Sequence, residues 1–182
     1  GARHGAVVAL AGCAASGPAA GARAGAVGRS VHARRRGAWK DNSGGIQPVA
    51  SLAELFQQSD HLVLAMPLTA ETRGIVNTDV LRHAKPGLHL LNVARGALVD
   101  QDALLRALDA GRPAFATLDV TVPEPLPDGH AFYTHPRVRL TPHISWVGPD
   151  VRDNLVRRIR ENLSRYLNGI PLLDTVDSRR GY

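Results

Sequence analysis

Short apolar runs separated by polar, capped segments recur along most of this chain. The runs predict buried strands at residues 6–10, 30–34, 61–65, 88–93, 114–120 and 137–140. A short strand that is apolar on both sides, as in the run from Leu88 to Val93, is typical of a parallel sheet. Two stretches have no such pattern and are predicted loops, at residues 39–48 and 121–136.

The segments between the runs predict helices with recognisable ends. Ser51 is a predicted N-cap whose capping box is completed by Glu54, and Asn77 starts a helix over 77–83. A third helix covers 100–109 and is ended by Gly111, and a long amphipathic one covers 149–168. Residues 11–25, interrupted by a proline, predict a poor helix. Strands alternating with helices predict an α/β fold with a doubly wound parallel sheet.

Polar side chains follow three of the later strands. Arg95 follows the strand 88–93, Asp119 closes the strand 114–120 with Glu124 five residues on, and His143 follows the last strand. Carboxyl ends of parallel strands share one edge of the sheet, where such folds bind ligands. A histidine can donate a proton, a glutamate can orient it, and an arginine can bind a carboxylate with two hydrogen bonds. Each residue taken singly also fits a structural or solvent-facing position.

The charge is unevenly distributed along the 182 residues, which carry a net charge of +6. The first 40 residues hold seven basic and no acidic side chains, so the remaining chain is close to neutral. The single cysteine, Cys13, excludes an internal disulfide and favours a reducing, cytoplasmic location. The apolar runs are too short to span a membrane. The basic residues at the start of the chain are not interleaved with aromatic ones, Trp39 aside, which makes the signal for nucleic-acid binding weak. Neither a membrane nor a nucleic acid is therefore expected as a partner.

Four motifs carry a family resemblance, in order and with matching spacing. They are MPLTAETRGIVN (66–77), LLNVARGALVD (90–100), ATLDVTVPEPLP (116–127) and RLTPHIS (139–145). From about residue 51 to 182, the chain resembles the cofactor-binding domain of the D-isomer-specific 2-hydroxyacid dehydrogenases, nearest to their glyoxylate/hydroxypyruvate reductase branch. The resemblance implies a Rossmann-like fold, hydride transfer between a nicotinamide cofactor and a 2-oxo or 2-hydroxy acid, no metal, and a homodimer paired through this domain.

The resemblance also implies roles for single residues. Arg95 binds the carboxylate and carbonyl of the substrate, His143 donates the proton, and Glu124 pairs with His143. Asp119 contacts the nicotinamide. The implied cofactor-binding set is Gly12, Arg34, Arg35, Pro67, Ala94, Arg95, Asp119 and His143.

The N-terminal part departs from the family pattern. Gly12 stands for the middle glycine of the phosphate loop, but its glycine partners are missing from the segment after the first strand. A local reading-frame shift over residues 9–28 explains this composition better than a transit peptide. We expect a dinucleotide-binding domain over 1–148, atypical over 1–40, without most of the family's substrate domain. The helix and tail over 149–182 would return to that domain, and without it the helix would expose part of its apolar stripe.

The end of the second strand bears on the choice of cofactor. NAD-specific folds place a carboxylate there, whereas this strand runs into Arg34, Arg35 and Arg36 with no acidic residue before Asp41. Arginine binds phosphate strongly, so NADP(H) is favoured over NAD(H), although a solvated basic turn is an alternative. Two hypotheses for the function follow. The first is an oxidoreductase or the cofactor half of one, and the missing substrate domain favours inactivity of this fragment. The second is a non-catalytic dinucleotide-binding or scaffolding module.

Overall fold

The computed structural model of the chain describes residues 6–12, 30–34, 46–177 and 179. In these residues seven parallel strands form one sheet, in the order β3-β2-β1-β4-β5-β6-β7. The strands are β1 (Val7–Ala11), β2 (Ser30–Arg34), β3 (Ile46–Pro48), β4 (His61–Leu64), β5 (His89–Asn92), β6 (Phe115–Leu118) and β7 (Val138–Leu140). The predicted doubly wound parallel sheet is confirmed.

Three of the four described α-helices begin at short polar side chains that accept backbone hydrogen bonds. They are α1 (Leu52–Gln58), α2 (Thr78–Leu81), α3 (Gln101–Asp109) and α4 (Val151–Leu167), with 3₁₀ turns at Gly96–Leu98 and Ala131–Tyr133. Ser51, Asn77 and Asp100 accept from the amides of Glu54, Val80 and Ala103, as N-caps do. The predicted capping box is wrong in one half, because the Glu54 carboxylate accepts from Gln58 in the next turn.

The strand order reverses between β1 and β4. From β1 the chain extends the sheet outward through β2 and β3, and from β4 it builds the other half through β5, β6 and β7. Open parallel sheets bind ligands beyond the carboxyl ends of their strands at such a reversal. The topology therefore places a candidate site above β1 and β4 and next to β5.

The main core lies on one side of the β4–β7 half of the sheet. Alternate strand residues such as Leu62, Leu90 and Leu118 are buried together with Phe56 of α1 and Leu104 of α3. A smaller cluster under β1, β2 and β3 holds Leu10, Val31, Ala33 and Ile46. Burial of these apolar side chains is the main stabilising term for the sheet.

One strand was not predicted. The predicted loop 39–48 is wrong at its end, because β3 (Ile46–Pro48) pairs with β2 at the sheet edge. Its sequence gave little signal, since only Ile46 is buried and a proline is tolerated only on an edge strand. Strand β1 begins and ends one residue later than predicted. Ala11 thus belongs to β1 rather than to the predicted helix 11–25, most of which lies outside the described residues.

The terminal helix α4 has no buried residue. Its apolar stripe is exposed as expected, with Leu155, Ile159, Leu163 and Leu167 all more than half accessible. The tail folds back on the same helix, where the Asn162 side chain makes two hydrogen bonds to the backbone of Leu173.

Across the part of the chain that the structure describes, no helix has both the length and the apolar character needed to cross a bilayer.

Candidate active site

The structure brings the predicted polar side chains to one edge of the sheet. Strands β5, β6 and β7 are adjacent and parallel, and Asn92, Leu118 and Leu140 at their ends are aligned in register. Arg95 lies three residues beyond β5 and His143 three residues beyond β7. A ligand above this edge can therefore meet an arginine and a histidine from two turns on either side of β6.

His143 and Glu124 form a hydrogen-bonded pair. The Nδ1 atom of His143 lies 2.7 Å from a carboxylate oxygen of Glu124, and each side chain is about two fifths exposed. A carboxylate only accepts hydrogen bonds, so Nδ1 is the donor and its proton stays on the Glu124 side. The other ring nitrogen, Nε2, then carries the proton that a charged imidazole can give away.

The backbone of His143 has a conformation that non-glycine residues rarely adopt. Its φ is 53°, in the left-handed region, which costs about 1–3 kcal/mol unless the surroundings impose it. The amide of His143 donates to the Asp119 carbonyl at 3.0 Å. The indole of Trp146 donates to the His143 carbonyl at 3.0 Å. These bonds compensate for the backbone strain, which is a common feature of active-site turns.

Asp119 organises the turn that carries His143. Its carboxylate is buried and accepts from the Thr141 hydroxyl and from the amides of Ile144 and Ser145. Burial raises the pKa of Asp119, but these hydrogen bonds outweigh it and hold the pKa well below its ordinary value. The role that the resemblance implied, contact with the nicotinamide, stays a prediction. The described side-chain hydrogen bonds of Asp119 all go to the turn that carries His143.

Arg95 stands on a turn fixed by a buried amide. The Asn92 side chain accepts from the Ala94 amide at 3.1 Å and donates to the Arg95 carbonyl at 2.9 Å. The guanidinium is exposed, and its Nη1 donates to the Ala94 carbonyl at 2.6 Å. The next residue has to be a glycine, because a Cβ at Gly96 would lie 2.2 Å from the Thr121 carbonyl oxygen. The turns after β5 and β6 are thus in direct backbone contact.

The predicted cofactor residues of the other half surround the strand-order reversal. Gly12, at the end of β1, has a φ of 100°, and a Cβ there would lie 2.3 Å from the Met66 Cα. Only glycine permits this approach between the loops after β1 and β4. Pro67 is the next residue of the β4 loop, and half-buried Ala65 donates to the Ala11 carbonyl. This close-packed reversal fits the usual position of a dinucleotide.

The arginines at the end of β2 are only partly described. Arg34 is half-buried, with its Nε 3.4 Å from the Ala50 carbonyl oxygen. The amide of Gly12 donates to the Arg34 carbonyl at 2.9 Å, so this arginine lies beside the glycine turn. Arg35 lies outside the described residues, as do residues 13–29 with the rest of the phosphate loop and of the proposed reading-frame shift.

Several supporting residues were missed from the sequence. They are Asn92, Gln101, Thr141 and Trp146. Asn92 gave a usable signal, because one amide at the end of an otherwise apolar strand has to find partners when it is buried. The others act through contacts between distant segments or across a tight turn, which no periodicity reveals. Among the described residues, no three His, Cys, Asp or Glu side chains are grouped as metal ligands.

Comparison with known proteins identifies the family of this chain. Residues 2–145 match the family model described as "D-isomer specific 2-hydroxyacid dehydrogenase, NAD binding domain". The chain is 39% identical over 131 residues to glyoxylate/hydroxypyruvate reductase A of Photorhabdus laumondii, covering 72% of this chain but 41% of that protein. It thus spans well under half the length of this curated relative.

Two solved structures share the fold. A D-isomer-specific 2-hydroxyacid dehydrogenase from Xanthobacter autotrophicus Py2, in complex with NADPH and MES, superposes with a TM-score of 0.87 at 35% identity, covering 97% of this chain and 73% of that one. The NADPH-dependent glyoxylate/hydroxypyruvate reductase of Sinorhizobium meliloti, with NADP and sulfate, gives 0.85 at 29% identity, covering 97% and 57%. The chain therefore belongs to the D-isomer-specific 2-hydroxyacid dehydrogenase family and contains its cofactor-binding domain.

Proposed function

We propose that the complete protein reduces 2-oxo acids of the glyoxylate or hydroxypyruvate type to 2-hydroxy acids. The observation that carries this proposal is the His143–Glu124 pair, 2.7 Å apart at the carboxyl edge of the sheet. It supplies a proton donor with a fixed tautomer at the place where this fold binds ligands. Arg95, on the turn after β5, supplies the positive charge that an anionic substrate needs.

Each residue has a distinct part in the proposed reaction. The guanidinium of Arg95 binds the substrate carboxylate and stabilises the negative charge that develops on the carbonyl oxygen. His143 gives its Nε2 proton to that oxygen, and the Glu124 carboxylate stabilises the imidazolium before transfer. The nicotinamide, when bound, supplies the hydride that reduces the carbonyl carbon. One hydride and one proton convert the 2-oxo group into a hydroxyl group, which gives a primary alcohol from glyoxylate and a secondary alcohol from hydroxypyruvate.

NADP(H) is the proposed cofactor, with NAD(H) as the alternative. The two solved relatives contain NADPH or NADP. In this chain β2 ends at Arg34 and continues into Arg35, with no carboxylate to repel a 2′-phosphate. Gly12 and Pro67, at the strand-order reversal, and Ala94, on the turn before Arg95, would contact the dinucleotide. Asp119 would stand beside the nicotinamide.

The test of this function uses the complete protein with glyoxylate and hydroxypyruvate as substrates. We expect oxidation of reduced nicotinamide that depends on the 2-oxo acid and has a higher kcat/KM with NADPH than with NADH. Changing Arg34 and Arg35 together to Ala should lower the NADPH-to-NADH ratio about tenfold, the effect of one charge-assisted hydrogen bond. Binding of NADPH without any turnover would instead favour a non-catalytic module. If the NADPH-to-NADH ratio of the double variant is unchanged, Arg34 and Arg35 belong to a solvent-exposed turn and do not bind the 2′-phosphate.

The assembly proposed from the family resemblance is a homodimer that pairs through this domain. Sedimentation of the complete protein at micromolar concentration should give twice the monomer mass. A single monomeric species at that concentration would contradict it.

A further inference from the structure

A glutamine outside the predicted site holds the loop that carries Glu124. Gln101, the first residue of α3, donates from its Nε2 to the Val122 carbonyl at 2.7 Å. Its Oε1 accepts from the Val122 amide at 2.8 Å. One side chain thus satisfies both backbone groups of a residue two positions before Glu124. The contact joins segments 21 residues apart in the chain.

The position of Gln101 is itself fixed by the core side of the domain. Asp100 caps α3 through the Ala103 amide, and the Asp100 amide donates to the Val76 carbonyl at 2.9 Å. Val76 is fully buried, and Leu104, one turn into α3, is fully buried as well. Gln101 therefore extends from a rigid helix start toward the edge where the candidate site lies.

The loop needs this support because the catalytic pair is too weak to position itself. Glu124 and His143 are each about two fifths exposed, and ion pairs with that exposure contribute only about 0–1 kcal/mol. A pair of this strength does not hold a proline-rich loop in one place against its conformational entropy. Between Asp119 and Glu124, the described bonds that tie the loop to another segment of the chain are those to Gln101. Thr121 is held in addition by its packing on Gly96.

We propose that Gln101 is a positioning residue. Its two hydrogen bonds to the backbone of Val122 keep Glu124 within hydrogen-bonding distance of His143. This inference deepens the proposed function and rests on His143 being the proton donor. Gln101 does not touch substrate or cofactor. It acts by keeping the His143 tautomer with its proton on Nδ1, which leaves Nε2 directed to the site.

The first test needs no turnover. Long-range proton–nitrogen spectra of the complete protein report which ring nitrogen of neutral His143 carries the proton. The wild type should show the Nδ1–H form, and Glu124→Ala provides the reference in which the partner is lost. Gln101→Met, which keeps chain length but removes both hydrogen bonds, should move the His143 signals at least half of the way to that reference. Signals that stay at the wild-type position would overturn the proposal.

Gln58→Met is a matched control. Gln58 also makes two side-chain hydrogen bonds, to Glu54 and to His32, but it lies near the amino end of β4. Gln58→Met should therefore leave the His143 signals unchanged. If Gln101→Met lowers the melting temperature no more than Gln58→Met does, a general loss of structure does not explain the spectra.

A double-mutant cycle gives the kinetic test. Gln101→Met should lower kcat for reduction about tenfold, since small misplacements of catalytic groups cost up to about a hundredfold, while KM stays within twofold. In the Glu124→Ala background the same change should have an effect below twofold, because the two residues act in series. An equal loss in both backgrounds would show that Gln101 acts independently of Glu124. If the wild type has no turnover, the proposed function fails while the spectra still decide the role of Gln101.

Discussion

The turns at the carboxyl edge and the terminal helix α4 are held by different kinds of contact. At the edge, Asn92 and Asp119 are nearly inaccessible, and their side chains bond the turns that carry Arg95 and His143. In α4 no residue is buried, and its described side-chain contacts are within the helix or with its own tail. The edge is thus fixed by the core of the domain, whereas the position of α4 is not.

This difference shows that an apolar pattern in the sequence does not by itself mean that the side chains are buried. The stripe of α4 is as regular as any core pattern, yet more than half of the surface of Leu155 and Leu163 is accessible. Apolar side chains stabilise a fold only when they leave water. The polar residues at the edge contribute more to local order than these leucines, because buried hydrogen-bonding groups must be satisfied. The return of α4 to a substrate domain stays a prediction from the resemblance.

The largest expected effect comes from His143. In the complete protein, His143→Ala should lower kcat by about 10²–10⁴, the range for loss of a general acid, without a comparable change in stability. His83→Ala, at an exposed histidine in the turn after α2, is the control and should be neutral. Steady-state reduction assays measure both. Near-normal turnover by the His143 variant would refute its assignment as proton donor.

Arg95 should have the next largest effect. Arg95→Ala should lower kcat/KM by about 10- to 100-fold, since a hydrogen bond to a charged group contributes about 1.5–3 kcal/mol, and both turnover and affinity should fall. Arg95→Lys should be intermediate because it keeps the charge but loses the planar fork. Arg82→Ala is the matched control, at an exposed arginine paired with Asp79. A loss of similar size in that control would remove the specific role of Arg95.

Asp119 should affect stability in a pH-dependent way. Its pKa is lowered from an ordinary value of 3.8, so its ionised form stabilises the fold above that pH and the contribution fades as the pH falls further. Asp119→Asn should cost about 1–3 kcal/mol near pH 7, and the gap to wild type should narrow in acid. Urea unfolding of both proteins over about pH 2–7, the range in which carboxyl groups titrate, measures this difference in the free energy of unfolding.

The control for Asp119 is Asp79→Asn, at a highly exposed carboxylate. It should change the free energy of unfolding by less than about 0.5 kcal/mol at every pH. A gap between Asp119→Asn and wild type that did not vary with pH would mean that the charge of Asp119 contributes nothing beyond its shape.

The smallest effect is expected in α4. In this chain Leu163→Ala should change the free energy of unfolding by less than about 0.5 kcal/mol. The same substitution at fully buried Leu104 should cost about 2–5 kcal/mol. Denaturant unfolding of the two variants compares the regions directly. Burial of one methyl or methylene group contributes about 1 kcal/mol. A larger cost for Leu163→Ala would therefore show that α4 is covered in solution.

Much of the fold could be predicted because its signals are local. Apolar runs identified six of the strands in the described residues, and short polar caps at Ser51, Asn77 and Asp100 marked the helix starts. β3 was missed because an edge strand with one buried residue, Ile46, carries no pattern. The Glu54 half of the capping box was predicted wrongly, because the Gln58 side chain binds the Glu54 carboxylate one turn later.

The sequence by itself determined the order of elements and the polar residues Arg95, Asp119, Glu124 and His143 at their strand ends, since a parallel sheet sends all its carboxyl ends to one edge. Only the tertiary structure decided how those residues are held. The hydrogen bonds of Gln101 to Val122 and the packing of Gly96 on Thr121 join segments more than twenty residues apart. Such contacts depend on where the β-sheet register places two loops, and no spacing within either loop encodes that distance.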